Sequence, residues 1–362
     1  MDFSVGVVGT GLMGIAHTNA LRWNDVHVEG VLGSSEDKSR KFADDFNIPR
    51  IYHTFEEMLE DPKLDVIHLT TPNQLHYPHA KAALLAGKHV VCEKPLTMTA
   101  KESGELLILS RDKQLVTTVN FNVRMYEMVQ KARMMVLNGE IGNPYFIHGS
   151  YLQDWLLYPS DWNWRLNPQF GGRLRTVGDI GSHWIDLISY ISGLKVLEVM
   201  ADFKTIHPQR LDEEGQKVTI DTEDYATIMV HLEGGVSGVV TLSQMCAGHK
   251  NRIAFEMNAS QSSLAWNGEK ADELWIGHRE KANEVLHQEN KKETKNLKGE
   301  MEAFPDTFNE LYRRVYQYLE AGDYQTKPDF PTFEDGHYGM LVLEAIEKSF
   351  EEKAWVQVEL NE

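Results

Sequence analysis

The sequence predicts an α/β chain: a doubly wound parallel sheet, then an α+β half built on a large, mostly antiparallel open sheet. Three observations carry this. Short, continuously apolar runs alternate with amphipathic helical stretches up to Val119. The first of these runs leads straight into Gly9-Thr10-Gly11-Leu12-Met13-Gly14. After Phe121 the texture changes to long strands of alternating polarity.

In order, Ser4 to Val8 is a β-branched strand, and helix-compatible sequence follows the glycines through Leu21 and Trp23. Val26 to Leu32 is a second strand closing on Gly33-Ser34-Ser35, and Lys38 to Phe46 puts Phe42 and Phe46 on one helical face. Helices are expected at 54–60, 77–86 and 100–111, and strands at 65–69, 89–92 and 116–119. In the second half, 145–153, 196–203, 225–232, 236–245, 252–259 and 263–266 read as strands. The short Glu233-Gly234-Gly235 connection favours antiparallel pairing. Residues 269–299, rich in Glu, Lys and Asn, read as an exposed hairpin with a mobile loop, and chemistry is not expected there. Residues 304–321 and 333–353 have helical spacing, with Tyr312, Val315, Tyr316 and Leu319 as a core-facing stripe.

Composition narrows the partners. With 362 residues, 42% of them hydrophobic, the chain has material for two domains, expected at 1–122 and 123–362. A net charge of −18 opposes binding to nucleic acid or an anionic membrane. Cys92 and Cys246 are the only cysteines and no zinc spacing occurs, so neither a disulfide framework nor a metal is expected. The first strand begins too early for a signal peptide, and no apolar run approaches the roughly 20 residues that span a bilayer. A soluble, cytoplasmic protein is the expectation.

The glycine turn points to a dinucleotide. Gly9 permits the sharp exit from the strand, Gly11 lets main-chain amides approach a pyrophosphate, and Gly14 lets the helix lie close to the sheet. Thr10, Leu12 and Met13 join them in the expected phosphate cradle. At the tip of the second strand, where NAD-preferring folds carry an acid, stand Gly33-Ser34-Ser35. Ser34 and Lys38 can serve a 2′-phosphate, so of NAD and NADP the local sequence favours NADP.

Two short segments carry acid-base groups. Glu93-Lys94-Pro95 follows the strand at 89–92, which puts Lys94 at the carboxyl edge of the sheet. Asp179 and His183 are four residues apart at the opening of a helix and share one face. Taken singly, Lys94 reads as a solvated lysine, Asp179 as an N-cap and His183 as a packed histidine.

Taken together with Thr71-Pro72-Asn73, His76, Asn122, Arg124, and Gly178 to Trp184 followed by Asp186, these motifs resemble the Gfo/Idh/MocA oxidoreductases over essentially the whole chain. The resemblance implies an N-terminal Rossmann domain and a C-terminal substrate and oligomerisation domain. It makes Lys94, Asp179 and His183 the catalytic trio for hydride transfer between a nicotinamide and a secondary alcohol or carbonyl of a sugar, inositol or related polyol. His183 suits the general base and Lys94 the group that holds the substrate oxygen, though these two roles can be exchanged; Asp179 suits orientation. The resemblance also places Thr71, Pro72, Asn73, His76, Glu93, Lys94 and Asn122 at the cofactor. It makes a cis Lys94-Pro95 bond, which proline permits cheaply, an expectation.

A Trp-rich segment containing Trp155, Trp162, Asn163, Trp164 and Arg165 reads either as packing or as a sugar-stacking surface. Arg165 is expected at the cofactor or an anionic substrate group; Trp155, Trp164 and Arg124 are expected at the substrate. Arg173 and Arg175 would favour an acidic or phosphorylated substrate. Two other readings use the same fold: a glycosidase with transient hydride transfer and no net redox change, and a non-catalytic dinucleotide sensor. The family further implies a homodimer or homotetramer formed through the open face of the second sheet.

Overall fold

A computed structural model describes residues 3–288 and 304–360. The expected mobile stretch at 289–299 lies outside the described residues. The chain divides into two compact units, Met1–Asn122 with Phe304–Met340, and Val123–Ala303 with Leu341–Glu362.

The first unit is built on β1 (Ser4–Val8), β2 (His27–Leu32), β3 (Arg50–Ile51), β4 (Val66–Leu69), β5 (His89–Cys92) and β6 (Thr117–Val119). All pair in parallel, in the order β3-β2-β1-β4-β5-β6. The order reverses between β1 and β4, the switch point at which doubly wound sheets bind ligands. Helices cross between the strands, and their starts are written in the sequence. Ser35, Thr54 and Thr99 are extended N-caps whose hydroxyls accept from Lys38, Glu57 and Glu102 main-chain N–H groups. At Thr99 the Glu102 carboxylate answers the cap, closing a capping box. The Phe304–Ala321 helix belongs here too, with Phe308, Leu311, Tyr312, Val315, Tyr316 and Leu319 buried.

The second unit holds β7 (Pro144–Leu152), β8 (Val196–Lys204), β9 (Gln209–Leu211), β10 (Lys217–Thr219), β11 (Tyr225–Leu232), β12 (Ser237–Ser243), β13 (Arg252–Ala259), β14 (Ser262–Asn267), β15 (Glu273–His278), β16 (Glu284–His287) and β17 (Val356–Gln357). Nine of them form one sheet, in the order β16-β15-β14-β13-β7-β12-β11-β8-β17. Every pairing is antiparallel except β7 with β12. The helices Glu127–Leu137 and Ser182–Ser192 pack on one face, where Trp184 Nε1 donates to the Ala254 carbonyl at 3.0 Å. Strand β11 is buried at every second residue, as expected of a sheet with one covered face. The β9–β10 hairpin stands apart as a two-stranded ribbon, which the strand periodicity did not reveal.

Acid sensitivity follows from the first unit's packing. His79 lies against Phe55, ring centroids 4.4 Å apart, and burial, seconded by the neighbouring His76, pushes its pKa from 6.5 down to about 4. The unfolded chain therefore takes up this proton first as pH falls. The stability His79 contributes is complete above about pH 6.5 and is lost towards about pH 4. Thermal unfolding of His79→Asn is expected to show a shallower pH dependence than wild type across that window; parallel curves would refute this.

Candidate active site

The first unit presents a cradle at the carboxyl ends of β1, β4 and β5. Gly9 adopts φ +112°, and its N–H donates to the Leu32 carbonyl at 2.8 Å, tying the turn to the end of β2. A Cβ on Gly14 would stand 2.2 Å from the Gly9 oxygen, so only glycine lets the Leu12–Trp23 helix start this close to the strand. A Cβ on Gly11 would meet nothing within 4 Å. That open space, and a helix start with no side-chain cap, suit a pyrophosphate. Leu12 is 76% exposed beside it, and Thr10 and Met13 are half-buried.

At the tip of β2, Lys38 Nζ donates to Ser34 Oγ at 3.1 Å. After β4, Thr71 and Pro72 are half-buried and Asn73 is buried. The ring nitrogens of buried His76 lie 2.9 Å from the Thr71 carbonyl and 2.8 Å from that of Pro95, so one side chain bridges the loops after β4 and β5. The Lys94-Pro95 bond is cis, as expected. Asn122, expected at the cofactor, donates from Nδ2 to Thr307 Oγ1 at 2.6 Å.

Glu93 shows what holds Lys94 in place. Its Oε2 accepts the Lys94 N–H at 3.2 Å, while Oε1 accepts from Asn120 Nδ2 at 2.6 Å and faces His17 Nε2 at 3.0 Å. His17 Nδ1 lies 3.0 Å from His68 Nδ1, and His68 Nε2 lies 2.9 Å from the Tyr316 hydroxyl. Burial holds the His68 pKa far below its ordinary value, with the nearby His17 as second cause. With the Glu93 carboxylate an acceptor, His17 Nε2 is the donor to it, and of the two facing Nδ1 atoms one donates to the other. Sequence reading missed His17, His68 and Tyr316. A buried histidine has no periodic signature, and Tyr316 was visible only as part of an apolar stripe.

In the second unit, Asp179 sits in a wide π-type turn, Val177–Gly181, that runs directly into the Ser182–Ser192 helix. Such turns interrupt the regular ladder and recur at functional sites. Arg165 Nε lies 3.2 Å from Asp179 Oδ1, and Gln244 Nε2 donates to Oδ2 at 2.8 Å. His183 is 4% exposed, its ring 6.2 Å from that of Tyr151. Arg165 also stacks on Trp164 at 4.4 Å, and Trp155 Nε1 donates to Gln153 Oε1 at 2.7 Å. Leu156, Leu166 and Ile220 form a small core with Trp155, Trp162 and Val218 packed on it, so the Trp-rich segment and the β10 end of the ribbon share one cluster.

Two cations expected at the substrate are engaged in buried ion pairs. Arg124 forms a buried two-pronged pair with Asp186, with Nε to Oδ2 at 2.8 Å and Nη2 on Oδ1. Arg175 is 1% exposed and paired with Asp224, so it is no surface cation for an acidic substrate. Arg173 is exposed and bridges Glu347 and Glu351. Among the described residues no group of His, Cys, Asp and Glu is arranged to hold a metal, and no helix is long and apolar enough to cross a membrane.

Known proteins share this fold in both units. Residues 3–121 match the family model described as "Oxidoreductase family, NAD-binding Rossmann fold", and residues 129–265 match the "GFO/IDH/MocA C-terminal domain". The chain is 31% identical over 298 residues to levoglucosan dehydrogenase of Pseudarthrobacter phenanthrenivorans, covering 76% of each. It is 25% identical to myo-inositol 2-dehydrogenase of Thermotoga maritima, covering 98% of each. A solved levoglucosan dehydrogenase in complex with NADH and levoglucosan superposes with a TM-score of 0.92 at 27% identity, covering 99% of this chain and 100% of that one.

The cradle makes contrasting predictions at its glycines. Gly14→Ala should destabilise the protein by about 1–3 kcal/mol, because the added carbon has to move backbone. Gly11→Ala should leave the melting temperature unchanged yet weaken nucleotide binding. Calorimetric unfolding and cofactor titration of both variants check this; equal destabilisation would contradict the cradle.

Proposed function

Because this chain belongs to the Gfo/Idh/MocA oxidoreductase family, we propose that it interconverts a secondary alcohol and a carbonyl on a sugar, inositol or related polyol, with NAD(H) as cofactor. The observation that carries this reading is the pairing of Asp179 with buried His183 on one helical turn, with Arg165 and Gln244 fixing the Asp179 carboxylate. The named relatives that act on levoglucosan and myo-inositol support a polyol as substrate.

When bound, the nicotinamide ring accepts or supplies the hydride. His183 takes the hydroxyl proton as general base in oxidation and returns it in reduction, since a neutral imidazole carries one accepting and one donating ring nitrogen. Lys94 holds the substrate oxygen and stabilises its developing negative charge. Asp179 accepts hydrogen bonds from neighbouring hydroxyls and so fixes which carbon reacts. Trp155 and Trp164 offer apolar faces to sugar C–H groups. We assign Arg124 a positioning role, since its guanidinium is engaged by Asp186 on the catalytic helix.

For the cofactor, the family description and the relatives solved with NADH favour NAD. The Ser34–Lys38 pair is the one local feature that suits a 2′-phosphate. We assign the subunit contact to the open face of the nine-stranded sheet, where Phe146 and Met229 are 38% and 42% exposed.

Purified protein incubated with NAD or NADP and a panel of sugars, inositols and anhydrosugars should accumulate reduced cofactor steadily, with NAD bound more tightly. Glycoside cleavage without accumulation would instead support the transient-hydride reading, and tight cofactor binding with no turnover the sensor. His183→Ala and Lys94→Met should each lose about 10²- to 10⁴-fold in kcat, with NAD affinity retained in His183→Ala. Near-normal turnover in either variant would overturn the assignment.

A further inference from the structure

One oxygen of Asp179 is aimed by a side chain that does no chemistry itself. Gln244, just past the end of β12, is fully buried. Its Nε2 donates to Asp179 Oδ2 at 2.8 Å and reaches Gln153 Oε1 at 3.4 Å. Its Oε1 accepts from Arg175 Nη1 at 3.3 Å and from Thr176 Oγ1 at 3.4 Å. A guanidinium only donates and a carboxylate only accepts, so this amide has one admissible orientation.

The acceptor side is anchored further back. Arg175 Nη2 donates to Asp224 Oδ1 and, at 2.6 Å, to the Glu223 carbonyl. The same Asp224 oxygen receives Arg210 Nη2 at 2.8 Å, while Oδ2 accepts the N–H groups of Ile206 and His207 at 2.7 and 2.9 Å. Arg210, 1% exposed, also donates to the carbonyls of Leu156 at 2.9 Å and Tyr158 at 2.8 Å. Those carbonyls belong to the Trp-rich loop. A second route runs from Trp155 Nε1 through Gln153 Oε1 to Gln244. Both routes from the loop meet at one amide.

We propose that Gln244 is the positioning residue for Asp179, and that Arg175, Asp224 and Arg210 make its orientation depend on how the Trp155–Arg165 loop is seated. The inference rests on the reading of Asp179 as a substrate-orienting group. A loop seated on its sugar holds Arg210, and through Asp224 and Arg175 it holds the acceptor end of the amide, so the donor end stays on Asp179. A loop displaced by a wrong ligand loosens the same chain. Specificity and catalysis are thereby read by one element.

Three full-length variants test this. Gln244→Glu keeps the shape but turns an acceptor towards Asp179, which otherwise faces Arg165 from the loop and Tyr151 from β7, while Arg175 stays on the far oxygen of the new carboxylate. Two facing carboxylates compete for one proton, so the acid limb of the kcat/KM profile should rise by about one pH unit or more. NAD affinity should stay within about twofold, and Gln244→Met should lower kcat about tenfold or more. Arg210→Met should raise the sugar KM about tenfold, and amide hydrogen exchange should quicken in 154–167 and in 176–183 alike. A wild-type pH profile and kcat in Gln244→Glu, or faster exchange confined to the loop in Arg210→Met, would overturn the proposal. Exchange needs no substrate, so it decides the coupling even if no polyol is turned over, an outcome that would sink only the functional reading. Should Gln244→Glu fail to fold, the other two variants carry the test.

Discussion

The second unit's interior depends on one carboxylate, Asp224. Two guanidinium groups, those of Arg175 and Arg210, are buried against it, and each would cost several kcal/mol to strip of water alone. Burial alone would raise the Asp224 pKa, but Arg175, the His207 amide and Arg210 outweigh it and hold it below the ordinary value. Glu223 beside it goes the other way: burial raises its pKa despite the Val177 and Arg175 amides it caps. Removing one partner from such a cluster costs about 3–5 kcal/mol, so the π-type turn, the Trp-rich loop and the β9–β10 ribbon stand or fall together.

The first unit solves the same problem with less charge. Among the described residues, an asparagine amide, an imidazole and a main-chain N–H surround the buried Glu93 carboxylate. Two histidines in contact tolerate burial because deep desolvation keeps at least His68 uncharged. The result is a rigid seat immediately before Lys94. The two units thus fix Lys94 and Asp179 by different means, a single carboxylate among ring and amide donors in one and two guanidinium groups on one carboxylate in the other.

Much of this was legible in the sequence because it is periodic or local. The glycine turn, the parallel strands and the run from Gly178 to His183 all announce themselves within a few residues. The β9–β10 ribbon was not legible, since Gln209–Leu211 and Lys217–Thr219 are three-residue strands with no room for alternation. Gln244 looked like the tail of a strand, and Arg175 like a cation for an acidic or phosphorylated substrate. What distinguishes them is which distant groups they meet, Asp179 for one and Asp224 for the other. Adjacent acids at Glu223 and Asp224, just before an apolar strand, were the one local hint that buried cations waited nearby. Arg124, a motif position expected at the substrate, is paired with Asp186 in the very helix already singled out, which sequence reading did not join to it.

Arg210 grips the Trp-rich loop by main-chain oxygens, and a carbonyl is the same whatever residue bears it. The anchorage is therefore blind to the identity of the residues it holds. Natural variation can exchange Trp155, Trp162 or Trp164 for other side chains while the backbone stays clamped. A scaffold of this kind can change the side chains one short stretch presents by a few replacements, leaving the ion pairs beneath untouched.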